Sequence, residues 1–244
     1  SVLLDVYSVT RFDGQPSGAE GQPICWVSPE ELGNFEFPAA NQPIINAITL
    51  PDKYLIIGDF AGAEDFEQRL SIAFEQGIRL VQLRMHDFSL STHRSLIDKA
   101  IALSKTYSAR LLVNSSVEIF EQIISEYPSV TIGLHLSQHQ AATISVRPIS
   151  AGYLLGVSCH NEKEVVQAQL LGADYLLLSP VKKTRSHPDA NPIGWNAFAS
   201  LVELANVPVY ALGGMVEGDL AQAKLAGAQG VAGIGAWWEL KSND

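Results

Sequence analysis

The sequence predicts an α/β fold, a (β/α)8 barrel of the TIM type, preceded by a shorter α+β segment of different texture. Three observations predict it. Eight short apolar runs rich in β-formers follow one another between residues 54 and 234, most of them separated by a stretch of helical periodicity. Polar residues or glycines recur at the C-terminal ends of these runs, which is the working face of such a barrel. The 244-residue length suits one barrel of ordinary size with a small addition. Strands that alternate with helices pair in parallel, and a count of eight favours closure over an open doubly wound sheet.

The composition allows this fold and excludes several function classes. Apolar residues make up 47% of the chain and charged residues 17%, enough for a sizeable core. No run reaches the roughly 18 to 20 apolar residues of a membrane span, and the start does not read as a signal peptide. The net charge of −10 argues against binding a nucleic-acid polymer, which depends on clustered Lys and Arg. It does not argue against a phosphate ligand, because backbone N–H groups hold phosphate whatever the net charge. Cys25 and Cys159 form neither a metal pattern nor a disulfide framework. A cytoplasmic location is the expectation, with no membrane partner and a homo-oligomer left open.

Residues 1–50 hold several prolines and glycines and little helical periodicity. Residues 3–9 and 23–27 read as strands. Ser28, Pro29 and Glu31 read as a helix start, with Ser28 at the N-cap and Glu31 at N3. Residues 41–50 read as a closing helix, and Pro51-Asp52 as a boundary. The chain opens on Ser1 rather than methionine, which suggests a fragment or a processed chain.

From residue 53 to about 240 the expected strands are 54–59, 80–84, 111–115, 132–137, 154–158, 175–179, 207–212 and 230–234. The expected helices are 63–76, 91–107, 117–127, 162–171, 195–205 and 219–226, with only a short, irregular segment after the fourth strand. Little chain follows the last strand. The Trp237-Trp238 pair is expected to pack against the barrel bottom or a partner.

The strand ends carry the chemistry. Gly213-Gly214 after strand seven and Gly235 after strand eight stand where many barrels bind phosphate, and glycine lets backbone N–H groups approach an anion. The structural alternative is tight packing. Gln82 and Arg84 alternate on strand two, so both can face the mouth; Arg84 suits a phosphate or carboxylate, or else a bridge to Asp87. Asn114 and Ser158 close strands three and five. His160 is the acid/base candidate, since imidazole gives and takes protons near neutrality; a semi-buried structural histidine is the alternative. His135, inside strand four, reads as structural. Lys182, Lys183, Arg185 and His187 form a basic run on the loop after strand six, either solvated or a lid over an anion. Thr184, Ser186 and Gly194 belong to the same loop. Among these ends we find no nucleophile–base pair and no acidic pair for a metal.

These ends resemble the thiamine phosphate synthase and TenI family across about residues 53–237. The resemblance is carried by Gln82-Leu83-Arg84, by Leu134-His135-Leu136-Ser137-Gln138, by Gly156-Val157-Ser158-Cys159-His160, by Ala211-Leu212-Gly213-Gly214 and by Gly227-Ala228-Gln229-Gly230-Val231. It implies a phosphorylated thiazole or pyrimidine as ligand, with Gln82, Arg84, Asn114, Ser158, Thr184, Ser186, Gly194, Gly213, Gly214 and Gly235 around it. Synthases of the family join a pyrimidine diphosphate to a thiazole phosphate, with Mg²⁺ holding the departing pyrophosphate. The two positions where the family carries its Mg²⁺ carboxylates are Ser115 and Gln140 here, and its two lysine positions correspond to His86 and His187. The resemblance therefore implies a TenI-like barrel that moves protons through His160 without a metal. A true synthase, requiring Mg²⁺, and a non-catalytic ligand sensor are the alternatives.

Residues 1–50 are similar to the C-terminal part of a MutT-type Nudix hydrolase. The likeness rests on Glu20-Gly21-Gln22-Pro23, Trp26 with Ser28, and Phe37-Pro38-Ala39-Ala40-Asn41 with Pro43. It implies that Glu20 helps bind a metal and Asn41 reads an oxidised guanine. The Nudix box would lie upstream, in a Nudix domain in cis that uses Mg²⁺ to hydrolyse oxidised dGTP.

Overall fold

The computed structural model describes residues 9–84, 90–184 and 190–238. Eight parallel strands close into a barrel in chain order: β1 (Lys53–Ile56), β2 (Leu80–Leu83), β3 (Arg110–Asn114), β4 (Ile132–Leu136), β5 (Leu155–Cys159), β6 (Tyr175–Leu178), β7 (Val209–Ala211) and β8 (Gly230–Gly233). The ring closes where β1 pairs with β8, with Leu55 opposite Gly233. Several strands are shorter than their apolar runs, because pairing ends where the chain turns out at the mouth.

The helices are α1 (Gln42–Thr49), α2 (Ala63–Glu75), α3 (Leu90–Thr106), α4 (Val117–Glu126), α5 (Gln138–Ala141), α6 (Glu162–Leu170), α7 (Gly194–Val202) and α8 (Leu220–Leu225). The four-residue α5 is the short element expected after the fourth strand. Side-chain alternation along each strand sorts the core into two layers. Leu55, Ile57, Val81, Val113, Leu134, Val157, Leu176 and Val209 point outward and pack under the helices. Tyr54, Ile56, Leu80, Leu112, Tyr175, Leu177, Tyr210 and Ala232 fill the interior.

Three tyrosines dominate that interior. Tyr54, Tyr175 and Tyr210 meet edge to face, with ring centroids 5.4 to 5.8 Å apart. Room for them comes from glycine: a Cβ at Gly156 would sit 2.1 Å from the Tyr175 ring and hydroxyl and 2.6 Å from His135 Nδ1.

Helix α1 seals the floor. Leu50 enters the interior cluster. The Gln229 amide donates to the carbonyls of Ala47 at 3.1 Å and Leu50 at 2.6 Å, and Tyr210 donates to Pro51 O. The helix expected over residues 41–50 is thus present. The start at Ser28 is present as well: Pro29–Asn34 forms a 3-10 helix, and Glu31 accepts from the backbone N–H and hydroxyl of Ser28. The strand expected over residues 23–27 is not formed; that stretch is irregular and largely exposed, and among the described residues no strand lies beside it to pair its backbone. The strand expected over residues 3–9 lies outside the described residues apart from Val9, which is irregular.

The tryptophans also differ from expectation. Trp237 and Trp238 pack at the mouth end of β8, not at the barrel bottom. Trp238 stacks edge-on against Phe66 and Phe60 and donates its indole N–H to Asp59 O at 2.8 Å. Arg69 donates to Trp238 O at 3.0 Å. Side chains here cover the β1–α2 corner that a further helix would otherwise cover.

Candidate functional site

The mouth is built on a hydrogen-bonded column rising from the barrel centre. Gln82 Nε2 donates to the Tyr54 hydroxyl at 2.8 Å. The Tyr54 and Tyr175 hydroxyls are 2.7 Å apart. Tyr175 reaches His135 Nδ1 at 3.0 Å, and His135 Nε2 reaches Ser158 Oγ at 2.8 Å. Every member lies on the inward parity of its strand. Burial, with a smaller contribution from the positive charge of Arg84, pushes the His135 imidazole down to about 3. His135 is therefore neutral near neutral pH, a fixed part of the wall. Burial pushes the Tyr54 and Tyr175 phenols upward, so they stay protonated too.

Of the residues singled out in the sequence, the column brings together Gln82 and Ser158. Asn114 stands beside it, donating to His135 O at 3.0 Å. Arg84 is exposed at the rim. His160 follows β5 on the parity of Gly156 and Ser158, one residue beyond the strand. Its Nδ1 lies 2.9 Å from Glu164 Oε2. Burial raises the Glu164 carboxyl, but hydrogen bonds from His160 and Asn161 outweigh it and hold Glu164 below its ordinary range.

The glycines after β7 serve two purposes. Gly213 and Gly214 take φ of +98° and +65°, a left-handed backbone that disfavours side chains. A Cβ on Gly213 would lie 2.7 Å from Pro180, and one on Gly214 would lie 2.3 Å from Lys183 O. Lys182 N donates to Gly213 O at 3.1 Å, so these glycines dock the loop that follows β6. The packing alternative is thus realised. At the same time, among the described residues no acceptor faces the backbone N–H groups of Gly213, Gly214, Gly235 and Ala236. By barrel order, the ends of β7 and β8 are neighbours.

The loop after β6 is partly committed. Lys182 pairs with Asp219. The Gly194 N–H donates to Val181 O at 3.0 Å, so that donor is taken. Thr184 is half-buried, whereas Ser186, Arg185 and His187 lie outside the described residues, as do His86 and Asp87. Glu20 is exposed, its N–H on Gln22 Oε1 at 2.8 Å. Asn41 ends the 3-10 turn before α1, remote in sequence from every strand end.

The β3–β4 corner tests the fit of a divalent cation. The Ser115 hydroxyl is buried and donates to Ser116 O at 3.0 Å. Gln140 donates from Nε2 to Ser115 O at 3.1 Å and accepts from Ser137 N and Oγ at 2.8 and 2.9 Å. Both groups are neutral and occupied with their neighbours. Hard cations favour anionic oxygens, and among the described residues no cluster of three or more His, Cys, Asp or Glu side chains forms. These residues do not fit Mg²⁺.

A closed parallel barrel of eight strands in chain order, with polar side chains converging at one mouth, defines a (β/α)8 barrel of the TIM type. Within that class the chain belongs to the thiamine monophosphate synthase family, which it matches over residues 53–237. Residues 1–52 lie outside the match. A relative from Aquifex aeolicus is 33% identical over 190 residues, covering 78% of this chain and 99% of its own length. The thiamine-phosphate synthase of Chloroflexus aurantiacus is 30% identical over 171 residues, covering 68% of this chain and 75% of its own. Among solved structures, the thiamine phosphate pyrophosphorylase of Pyrococcus furiosus superposes with a TM-score of 0.62 at 20% identity, covering 84% of this chain and 91% of that one, a likeness of fold. No helix among the described residues is long and apolar enough to cross a membrane.

Sequence reasoning missed Glu164 and the column tyrosines; His135 is the structural residue its place inside strand four suggested. The signals existed. Glu164 stands four residues from His160 at the start of an amphipathic stretch, and strand parity alone turns Tyr54, Tyr175 and His135 inward.

Proposed function

We propose that the barrel binds a phosphorylated thiazole and catalyses its tautomerisation, with His160 moving the proton. The carrying observation is the His160–Glu164 contact at the C-terminal end of β5, a base held by a carboxylate at the same barrel face as Gly213, Gly214 and Gly235. The backbone N–H groups of these glycines would take the phosphate, and Arg84 at the rim would add a positive charge. His160 would remove a proton from ring carbon and return it at another ring position, so the reaction is balanced and needs no metal. The neutral Gln140–Ser115 corner favours this over a step that must stabilise departing pyrophosphate. Turnover of the thiazole phosphate tautomer by the wild type, lost in His160→Ala, tests the reading; no turnover, or a mutant that retains it, sinks it.

The second reading is thiamine phosphate formation from both substrates, supported by the name of the Chloroflexus relative. Product formed from pyrimidine diphosphate and thiazole phosphate with Mg²⁺, at the rate of an intact synthase, would favour it over tautomerisation. On motif likeness alone we propose that residues 1–50 contribute to a Nudix-type unit, with Glu20 and Asn41 toward its ligand. Exposed Phe12 and Trp26, stacked at 5.7 Å, support an apolar surface there. Hydrolysis of oxidised dGTP by the protein with Mg²⁺ tests this, and its absence removes the reading.

A further inference from the structure

We propose that Glu164 is a positioning residue that fixes the tautomer of His160, holding the ring proton on Nδ1 and leaving the Nε2 lone pair free at the mouth. This deepens the proton-transfer reading and rests on it for its purpose, though not for its measurement.

The geometry leaves little choice of tautomer. Glu164 Oε2 accepts the backbone N–H of His160 at 2.8 Å and lies 2.9 Å from Nδ1 of the same residue. Glu164 Oε1 accepts from Asn161 Nδ2 at 2.8 Å, and Asn161 Oδ1 in turn accepts from Glu164 N at 3.1 Å. An ionised carboxylate has acceptors only. A short contact to Nδ1 is therefore favourable only when Nδ1 carries the hydrogen. A neutral ring then has its base at Nε2. A free histidine side chain prefers the opposite tautomer, with the proton on Nε2, so the carboxylate reverses the intrinsic preference. When Nε2 takes a proton from a ligand, the ring becomes a cation against an anion already in place, and the proton leaves by the same nitrogen.

Glu164 is suited to the task by its place in the fold. It sits at N3 of α6, whose next residue, Val165, is fully buried with Ala168 in the outer core. A helix-capping role accounts for the Oε1 bond and for Asn161. It does not require the contact to Nδ1.

The test is ring nitrogen NMR on the full chain labelled with ¹⁵N-histidine, with His160 assigned by the signals lost in His160→Gln. At a pH where the ring is neutral, the wild type is expected to show Nδ1 protonated and Nε2 bare. Glu164→Ala is expected to shift the majority form to Nε2–H. Asn161→Ala weakens the same cap but leaves Oε2, and is expected to keep the wild-type tautomer. A wild-type ring with its proton on Nε2, or an unchanged tautomer in Glu164→Ala, overturns the proposal. So does equal inversion in Asn161→Ala, which would make the effect one of helix capping. The measurement needs no ligand. A wild type without turnover therefore sinks the tautomerase reading by itself, and the ring signals alone decide the role of Glu164.

Discussion

His135 Nδ1 and the Tyr175 hydroxyl stand 3.0 Å apart at the centre of the barrel, with both side chains fully withdrawn from solvent. The imidazole spends its second nitrogen on Ser158, so both ring nitrogens are engaged. A proton added to this ring would be a buried charge near the positive Arg84, with no carboxylate of the described residues bonded to it.

This placement makes stability depend on pH. The folded-state value of His135 is about 3, well below the ~6.5 of an unfolded histidine. Above ~6.5 both states are neutral and the column's contribution is fully present. As pH falls from there toward 3, the unfolded chain takes a proton that the folded chain refuses, and stability drops by about 1.4 kcal/mol per pH unit for this one group. Denaturation midpoints measured across pH 7 to 4 for wild type and His135→Gln check it. The mutant should be less stable at pH 7 and should fall less steeply; parallel slopes would contradict the assignment.

Gly156→Ala should cost about 1–3 kcal/mol, the usual penalty of forcing a methyl into a filled interior. The new Cβ would meet both the Tyr175 hydroxyl and His135, and neither can withdraw without breaking the column. Urea unfolding gives the value, and a loss below ~0.5 kcal/mol would mean the interior is looser than described.

Gln140→Ala removes the bond to Ser115 O and the two acceptor contacts from Ser137. The expected loss is about 1–3 kcal/mol, the usual cost of leaving partly buried groups unpaired. Adding Mg²⁺ to the wild type should leave the melting temperature unchanged, whereas Ser115→Asp with Gln140→Asp should make it rise with Mg²⁺. A Mg²⁺-dependent rise in the wild type would reverse the conclusion about this corner.

Gly214→Ala places a methyl against Lys183 O at a backbone angle that side chains disfavour. It should weaken binding of inorganic phosphate or a phosphorylated thiazole and cost about 1 kcal/mol or more in stability. Calorimetry distinguishes this from a purely structural role: unchanged phosphate affinity in a folded mutant would place the anion elsewhere.

The barrel was legible because its signals are local and repeated. Each apolar run, glycine turn and amphipathic stretch reports its own element, and eight of them leave few ways to close a sheet. The floor helix was legible too, from the boundary at Pro51. The site was only half legible. Gln82 and Ser158 could be placed by strand parity, but what they touch depends on strands distant in sequence. Tyr54 and Tyr175 are 121 residues apart and share one hydrogen bond. Gly213 and Gly214 looked like an anion site on motif alone, and their packing against Pro180 and Lys183 needed three dimensions. The tryptophan pair misled because a chain-end aromatic pair has no periodicity to say which end of the barrel it faces. Residues 23–27 failed as a strand because β-propensity without a neighbouring edge forms nothing.

The floor sealed by α1, Leu50 and Gln229 leaves the mouth as the open end of the described barrel. Under the proposed tautomerisation, substrate and product share that opening and one site, so product at high concentration should act as a competitive inhibitor.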